Sequence, residues 1–153
     1  MRVMLRASRY GVFKRRYEIG EDGRPVIELA GQRREGCEFT LDGERLRVER
    51  ERGRRFVLTG PRGQHATADR ESGRRWAITT SAGRLELTRP SLWRSAWELR
   101  RGDVSLGRIE HDGAFKRTSH ADLAADVPLQ VRVFAFYVVL ILWERANAAA
   151  AAG

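Results

Sequence analysis

Apolar and polar residues alternate in short runs over most of the chain, and the alternation ends at one continuous apolar segment. Residues 17–116 alternate with a period of two between glycine-containing turns, which is the pattern of antiparallel strands joined by hairpins. Residues 131–143, VRVFAFYVVLILW, are apolar at every position except Arg132. The pattern therefore predicts a β-rich part followed by one segment that has no polar face.

The apolar segment is predicted to be a helix. As a strand its thirteen residues would reach about 43 Å, longer than strands usually run, whereas as a helix they span about 20 Å. Asp126 is the expected N-cap, and Pro128 falls in the first turn, where its missing N–H costs little. A helix that is hydrophobic on all sides must be enclosed by protein or by lipid.

The length of the uncharged run favours enclosure by protein. Residues 133–143 are 11 residues long, and a membrane-spanning helix needs about 20. Extending the run towards Val127 brings in Gln130 and Arg132, and an arginine at that depth is costly. A buried central helix is therefore the main interpretation, and a C-terminal membrane anchor is the alternative.

The clearest strand signal is the hairpin around the Asp-Gly turn at residues 42–43. Cys37 and Phe39 on its first strand are predicted to share one face with Leu46 and Val48 on its second. Further along, pairs of an aromatic and an aliphatic residue recur at spacings of 17, 20 and 21. The pairs are Phe39/Leu41, Phe56/Leu58, Trp76/Ile78 and Trp97/Leu99.

These hairpins add up to about ten to twelve strands, a number at which an open sheet tends to close. Closure removes the sheet edges, and the apolar helix fits the lumen. We therefore predict a mainly β fold, a closed antiparallel β-barrel around a central C-terminal helix. Its predicted parts are one domain over residues 1–147, with strands at about 2–118 and a helix at about 127–146, and a disordered Ala-rich tail at 148–153. Trp93 and Trp97 are expected to flank one strand.

The net charge indicates which partners the protein could bind, and the cysteine content indicates its cellular compartment. The net charge is +9 with a pI near 11.0, which suits an anionic membrane surface or nucleic acid. Arginine supplies nearly all of the basic charge, interleaved with 20 acidic residues, so most arginines should lie on solvated strand faces. The single cysteine, Cys37, excludes an internal disulfide, and the first residues lack a signal-peptide pattern. We expect a cytoplasmic, monomeric protein, with membrane association as an option.

Two short segments carry a family resemblance. Residues 17–23, YEIGEDG, and residues 126–129, DVPL, which lead into the terminal helix, resemble the tubby C-terminal-like superfamily. That superfamily includes tubby, the phospholipid scramblases and the LURP-one-related proteins, and this chain looks like a small bacterial member. The resemblance implies a barrel around a central helix and binding of phosphoinositides or membrane surfaces. No residue matches tubby's phosphoinositide contacts, and the lone Cys37 does not match the scramblase cysteine cluster.

No motif indicates catalysis or a cofactor. His111, Asp112, His120 and Asp122 could be drawn together as metal ligands, but their spacing matches no ligand motif and both His-Asp pairs fall in predicted turns. Residues 60–63 lack the order of a phosphate-binding loop, and no G-x-S-x-G motif occurs. We therefore expect a protein that is not an enzyme and has no cofactor or metal.

The basic clusters at predicted turns and edges are the best candidate contacts. They comprise Lys14, Arg15, Arg16, Arg33, Arg34, Arg54 and Arg55. The first three adjoin aromatic residues, a mixture that suits an anionic lipid surface or nucleic acid, although a charged edge strand has the same composition. Arg74-Arg75 and Arg100-Arg101 also fall at turns, and turns that cluster at one barrel end would form a basic rim. We predict a binding or scaffold module for anionic lipid headgroups; the alternatives are a nucleic-acid-associated protein and a membrane-anchored one.

Overall fold

The computed structural model describes residues 2–10, 16–22, 24–112 and 118–153, and within them it contains twelve strands, a short 3-10 turn and one long helix. The strands are β1 Arg2–Tyr10, β2 Arg16–Glu21, β3 Arg24–Gly31, β4 Cys37–Leu41, β5 Glu44–Arg50, β6 Arg55–Gly60, β7 Gly63–Ser72, β8 Arg75–Thr80, β9 Gly83–Thr88, β10 Trp97–Arg101, β11 Val104–His111 and β12 Thr118–Ala124. The 3-10 turn is Arg33–Glu35 and the helix, α1, is Leu129–Ala152.

The strands form a closed antiparallel barrel. Each strand pairs with its neighbours along the chain, and β1 closes the sheet by pairing with β12, with Leu5 opposite Ala121. Closure gives the backbone groups of both terminal strands a partner, so the sheet has no free edge. The predicted fold class is confirmed.

The helix α1 fills the lumen of this barrel. Every side chain from Val131 to Ile141 is buried, and Phe134, Phe136 and Tyr137 have no solvent exposure. The strands face it with alternate residues, which is why the aromatic-aliphatic pairs found in the sequence all lie in or against the core. By length and composition α1 could also cross a membrane, a property that the buried core helix of a soluble protein shares.

Two glycine positions, one in a turn and one within a strand, show how the sequence sets the register. At residues 42–43 the two-residue turn has φ of 51° and 77°, the positive values that an Asp-Gly hairpin turn adopts. This turn pairs Cys37 with Val48 and Phe39 with Leu46, as predicted. At Gly107, φ is 131° and a Cβ would overlap the Asp122 carbonyl group, so only glycine fits where β11 meets β12.

The buried Arg132 is accommodated near the start of the helix. Its Nε donates to the carbonyl oxygen of Val127 at 2.8 Å, and its Nη1 lies 3.9 Å from Oε1 of Glu21. A buried guanidinium needs such partners because desolvation of an unpaired charge is costly.

The ends of the helix differ from the prediction. Pro128 occupies the N-cap position, and Asp126 instead directs its carboxylate to Arg101 at 3.4 Å. The helix also continues to Ala152, so residues 148–152, expected to be disordered, are helical. Alanine has the highest helix propensity, which is enough to extend a helix whose core is already held in place.

Strands at two places also differ from the prediction. The sequence missed β12, whose inward residues Ser119, Ala121 and Leu123 include only one large apolar side chain. The strand expected at residues 114–116, the last of the alternating runs, lies outside the described residues. Trp93 does not flank a strand: β10 begins at Trp97, and Trp93 lies in the preceding loop.

Candidate functional site

The two ends of the barrel carry different loops. Because successive strands run in opposite directions, the loops after odd-numbered strands lie at one end and the loops after even-numbered strands at the other. The helix α1 follows β12, so it enters at the second end and leaves at the first. We call the first end the helix-exit end and the second the opposite end.

The loops at the two ends differ in charge. At the helix-exit end the described loop residues are 32–36, 51–54, 73–74, 89–96 and 112. Their cations are Arg33, Arg34, Arg52, Arg54, Arg74, Arg89 and Arg94, and their acids are Glu35, Glu51 and Asp112. The described loops of the opposite end hold Asp22, Asp42, Asp103 and Asp126 with the single cation Arg62. The barrel is therefore electrostatically polarised along the helix axis.

Apart from Arg70 on β7, the arginines of the barrel wall whose side chains are described are neutralised by ion pairs. Arg55 meets Asp69 at 2.6 Å, Arg47 meets Glu38 at 2.7 Å and Arg84 meets Glu71 at 2.7 Å. The first two pairs follow from register, because Arg55 lies opposite Asp69 and Arg47 opposite Glu38 on adjacent strands, whereas Arg84 on β9 reaches across β8 to Glu71 on β7.

Among the arginines whose side chains the structure describes, a set that leaves out Arg15, Arg24 and Arg117, eight make no ion pair with a carboxylate, and all eight lie at the helix-exit end. They are Arg33, Arg34, Arg52, Arg54, Arg70, Arg74, Arg89 and Arg94. The residues outside the described ranges include no Asp or Glu. We call this set the arginine rim; it occupies four loops that follow one another around the barrel, together with the end of β7 that holds Arg70.

The predicted contact residues divide into three groups. Arg33, Arg34 and Arg54 belong to the arginine rim. Arg16 and Arg55 lie at the same end, but each is engaged with an acid, Arg16 with Glu28 at 3.5 Å and Arg55 with Asp69 at 2.6 Å. Lys14 and Arg15 lie outside the described residues.

The two further arginine pairs lie at different ends. Arg74 belongs to the rim, and its neighbour Arg75 is 3.8 Å from Glu86. Arg100 and Arg101 lie at the opposite end, where they pair with Glu98 and Asp126. The sequence did not single out Arg52, Arg70, Arg89 or Arg94, although counting strands to find which turns share an end would have indicated three of them.

The 89–96 loop is braced by hydrogen bonds to its carbonyl groups. Arg74 donates from Nε to the Arg89 carbonyl at 2.9 Å and from Nη2 to the Pro90 carbonyl at 2.8 Å. Arg89 donates from Nε to the Arg94 carbonyl at 3.0 Å, and the Trp143 indole donates to the Ser95 carbonyl at 2.8 Å. Two rim arginines and the core helix therefore hold the loop in shape.

This loop exposes two large apolar side chains. Trp93 is 95% exposed and Leu92 is 65% exposed. Among the described residues the third exposed large apolar side chain is Val104, which is 61% exposed and lies at the opposite end.

A cleft of about 460 Å³ lies between the helix exit and the loops after β7 and β9. Arg70, Arg89 and Arg145 line it together with Trp97, Trp143 and His111. The His111 and Trp143 rings stack with their centroids 3.7 Å apart. The cleft thus presents guanidinium groups beside aromatic rings, and its guanidinium groups suit an anion.

The carboxylate of Glu35 connects the helix α1 to the loops of the helix-exit end. Glu35 accepts hydrogen bonds from Arg145 at 2.8 Å on both oxygens and from Arg50 at 2.7 Å. The hydrogen bond from Arg145, joined by that from Arg50, lowers the pKa of Glu35 below its usual value of 4.5, against the opposing effect of burial. Arg145 also donates to the Gly53 carbonyl at 2.9 Å, so α1 is tied to two rim loops.

The four residues considered as metal ligands do not converge. The His111 ring stacks on Trp143, whereas Asp112 accepts a hydrogen bond from Arg6 at 2.8 Å and contacts His120. Asp122 lies 3.9 Å from Arg2. Across the described ranges, no group of three or more His, Cys, Asp or Glu residues is arranged to hold a metal ion.

No protein-family model matches the chain, and no curated protein matches its sequence. The resemblance to the tubby C-terminal-like superfamily therefore stays a prediction.

Proposed function

We propose that the protein is a binding module whose helix-exit end associates with anionic phospholipid surfaces. The supporting observation is the arginine rim: among the arginines whose side chains the structure describes, those that no carboxylate neutralises all share one end of the barrel. A cation that already has an acidic partner gives up that partner to bind another anion, whereas a rim arginine gives up none. The rim is therefore the part of the surface best suited to anions.

The charge distribution would also orient the protein. Each basic residue held near an anionic membrane contributes about 1 kcal/mol, and the contribution falls off within a Debye length. The acidic loops of the opposite end are repelled by the same surface. The barrel would dock with the helix exit towards the lipid, at the cytoplasmic face of a membrane, as a non-enzymatic module.

Vesicle flotation tests the proposal with two variants of equal net charge. The rim variant carries R33Q, R34Q and R54Q, and the control carries R45Q, R62Q and R108Q, whose arginines are ion-paired outside the rim. At low salt, with vesicles containing phosphatidylserine, we expect the rim variant to bind about 100-fold more weakly than the parent protein. The control variant should lose far less affinity for the same vesicles.

Two results would overturn the proposal. The first is that the parent protein does not float with anionic vesicles at low salt. The second is that the rim variant and the control variant lose the same amount of binding, which would mean that only net charge matters. A salt-titrated shift assay with duplex DNA runs in parallel, since an arginine surface also attracts nucleic acid. Binding to DNA that the rim variant loses, without binding to vesicles, would assign the rim to nucleic acid instead.

A further inference from the structure

The exposed pair Leu92 and Trp93 lies within the arginine rim. Arg94 follows it directly, and Arg89, in the same loop, comes three residues before it. Large apolar side chains at such exposure are unfavourable in water unless something covers them. The arrangement calls for a partner that is apolar where Leu92 and Trp93 lie and anionic around them.

The exposure is built into the loop. The hydrogen bonds from Arg74, Arg89 and Trp143 hold carbonyl groups on both sides of Leu92 and Trp93. In addition, the Trp93 backbone N–H donates to the Ser91 hydroxyl at 3.1 Å. A loop held at these points keeps the two side chains exposed, and neither of them lines the adjoining cleft.

We infer that Leu92 and Trp93 form a wedge that inserts into the interface of an anionic phospholipid bilayer while the surrounding rim arginines contact headgroup phosphates. This inference rests on the proposed function and adds an apolar component to it. Tryptophan favours the boundary between headgroups and acyl chains, and leucine favours the acyl region beyond it. Arginine forms bidentate hydrogen bonds with phosphate.

Charge and size argue against other occupants. A second copy of the chain docked through the same end would bring one arginine rim against another, and like charges repel. Two side chains also cover far less area than a stable protein interface requires. Nucleic acid would stack on Trp93 but offers no apolar environment for Leu92.

The tryptophans of the chain make the wedge directly observable. Trp76, Trp97 and Trp143 are only 1%, 4% and 6% exposed, whereas Trp93 is 95% exposed. A change in tryptophan fluorescence on contact with lipid therefore reports on the environment of Trp93. With phosphatidylserine-containing vesicles at low salt, we expect a blue shift, and quenching when the lipid carries brominated acyl chains. Both signals should be absent in W93F, which keeps the three buried tryptophans.

A second comparison measures the contribution of the wedge to binding. We expect L92S/W93S to partition at least about tenfold more weakly into the same vesicles, because it loses the apolar area that enters the bilayer. V104S removes an apolar side chain that is 61% exposed at the opposite end, close to the 65% of Leu92, and should bind like the parent protein. Thermal unfolding of each variant checks that the barrel is intact, which is expected for exposed positions.

The outcomes separate the two proposals. Vesicle binding that is lost in the rim variant, without a change in Trp93 emission, overturns the wedge and leaves the proposed function standing. No vesicle binding at all overturns both. Self-association of the parent protein that L92S/W93S abolishes would overturn the wedge by assigning the pair to a second copy.

Discussion

The indole nitrogen of Trp143 donates a hydrogen bond to the carbonyl oxygen of Ser95 at 2.8 Å. This bond connects the last buried residue of the central helix to the loop that exposes Trp93. The helix therefore does more than fill the barrel, because it also holds one of the loops of the candidate surface.

Replacing Trp143 by phenylalanine should loosen the 89–96 loop. The change keeps most of the apolar volume and removes the donor to Ser95, a loss of about 1 kcal/mol in the free energy of unfolding. We expect faster amide hydrogen exchange in residues 89–96 and weaker vesicle binding. The control is Y137F, which removes the hydroxyl that donates to the Glu35 carbonyl at 2.8 Å, and it should speed exchange in residues 32–36 instead. Identical exchange patterns in the two variants would contradict a local role.

Replacing Glu35 by glutamine should destabilise the barrel at neutral pH. The variant loses the carboxylate that binds Arg145 and Arg50, and we expect about 1–2 kcal/mol less free energy of unfolding, allowing for partial exposure. E51Q is the control, since Glu51 is 57% exposed and lies 3.8 Å from Arg55.

The effect of E35Q should depend on pH in a defined direction. The pKa of Glu35 is lowered in the folded protein, so its stabilisation is fully present above the usual value of 4.5 and disappears as the pH falls through the lowered pKa. Denaturant unfolding at several pH values should therefore show the parent protein and E35Q converging under acidic conditions. If the difference in free energy of unfolding between the parent protein and E35Q stayed constant down to acid pH, the charged hydrogen bonds of Glu35 would be excluded as its cause.

Replacing Phe136 by alanine should remove much of the stability of the fold. Phe136 is fully buried on α1, inside the barrel, and such a change usually costs about 3–5 kcal/mol through lost burial and the cavity left behind. Denaturant unfolding measures the loss, and A149S, on the exposed outer part of the helix, provides the control. A small effect of F136A would mean that the helix is not the main packing partner of the strands.

Replacing Gly107 by alanine should also destabilise the barrel. The new Cβ would overlap the Asp122 carbonyl group and the residue would be held at φ of 131°, so we expect a loss of about 2–4 kcal/mol. Gly53 offers a matched comparison because a Cβ there meets no atom within 4 Å. G53A should leave the midpoint of unfolding nearly unchanged or raise it slightly.

The sequence by itself determined the architecture of this protein. Strands with alternating apolar residues need one buried face, and the segment from Val131 to Ile141 needs burial on every side. Placing the apolar helix inside the closed sheet meets both requirements. The Asp-Gly turn at residues 42–43 similarly determined its own register, because only a few residue types accept two positive φ values in succession. Local pattern was weaker at β12, where small inward residues conceal the strand, and at Asp126, where an ion pair replaced the expected cap.

Only the tertiary structure decided where the charge and the exposed apolar groups lie. Whether an arginine is neutralised depends on which residue the register places beside it on the next strand, as for Arg55 and Asp69, and which turns share an end depends on the number of strands between them. Trp93 looked like a strand residue because its side chain suits one, yet distant groups, the guanidinium of Arg74 and the indole of Trp143, brace the loop that exposes it. These relations join residues far apart in the chain, so no local pattern could have revealed them.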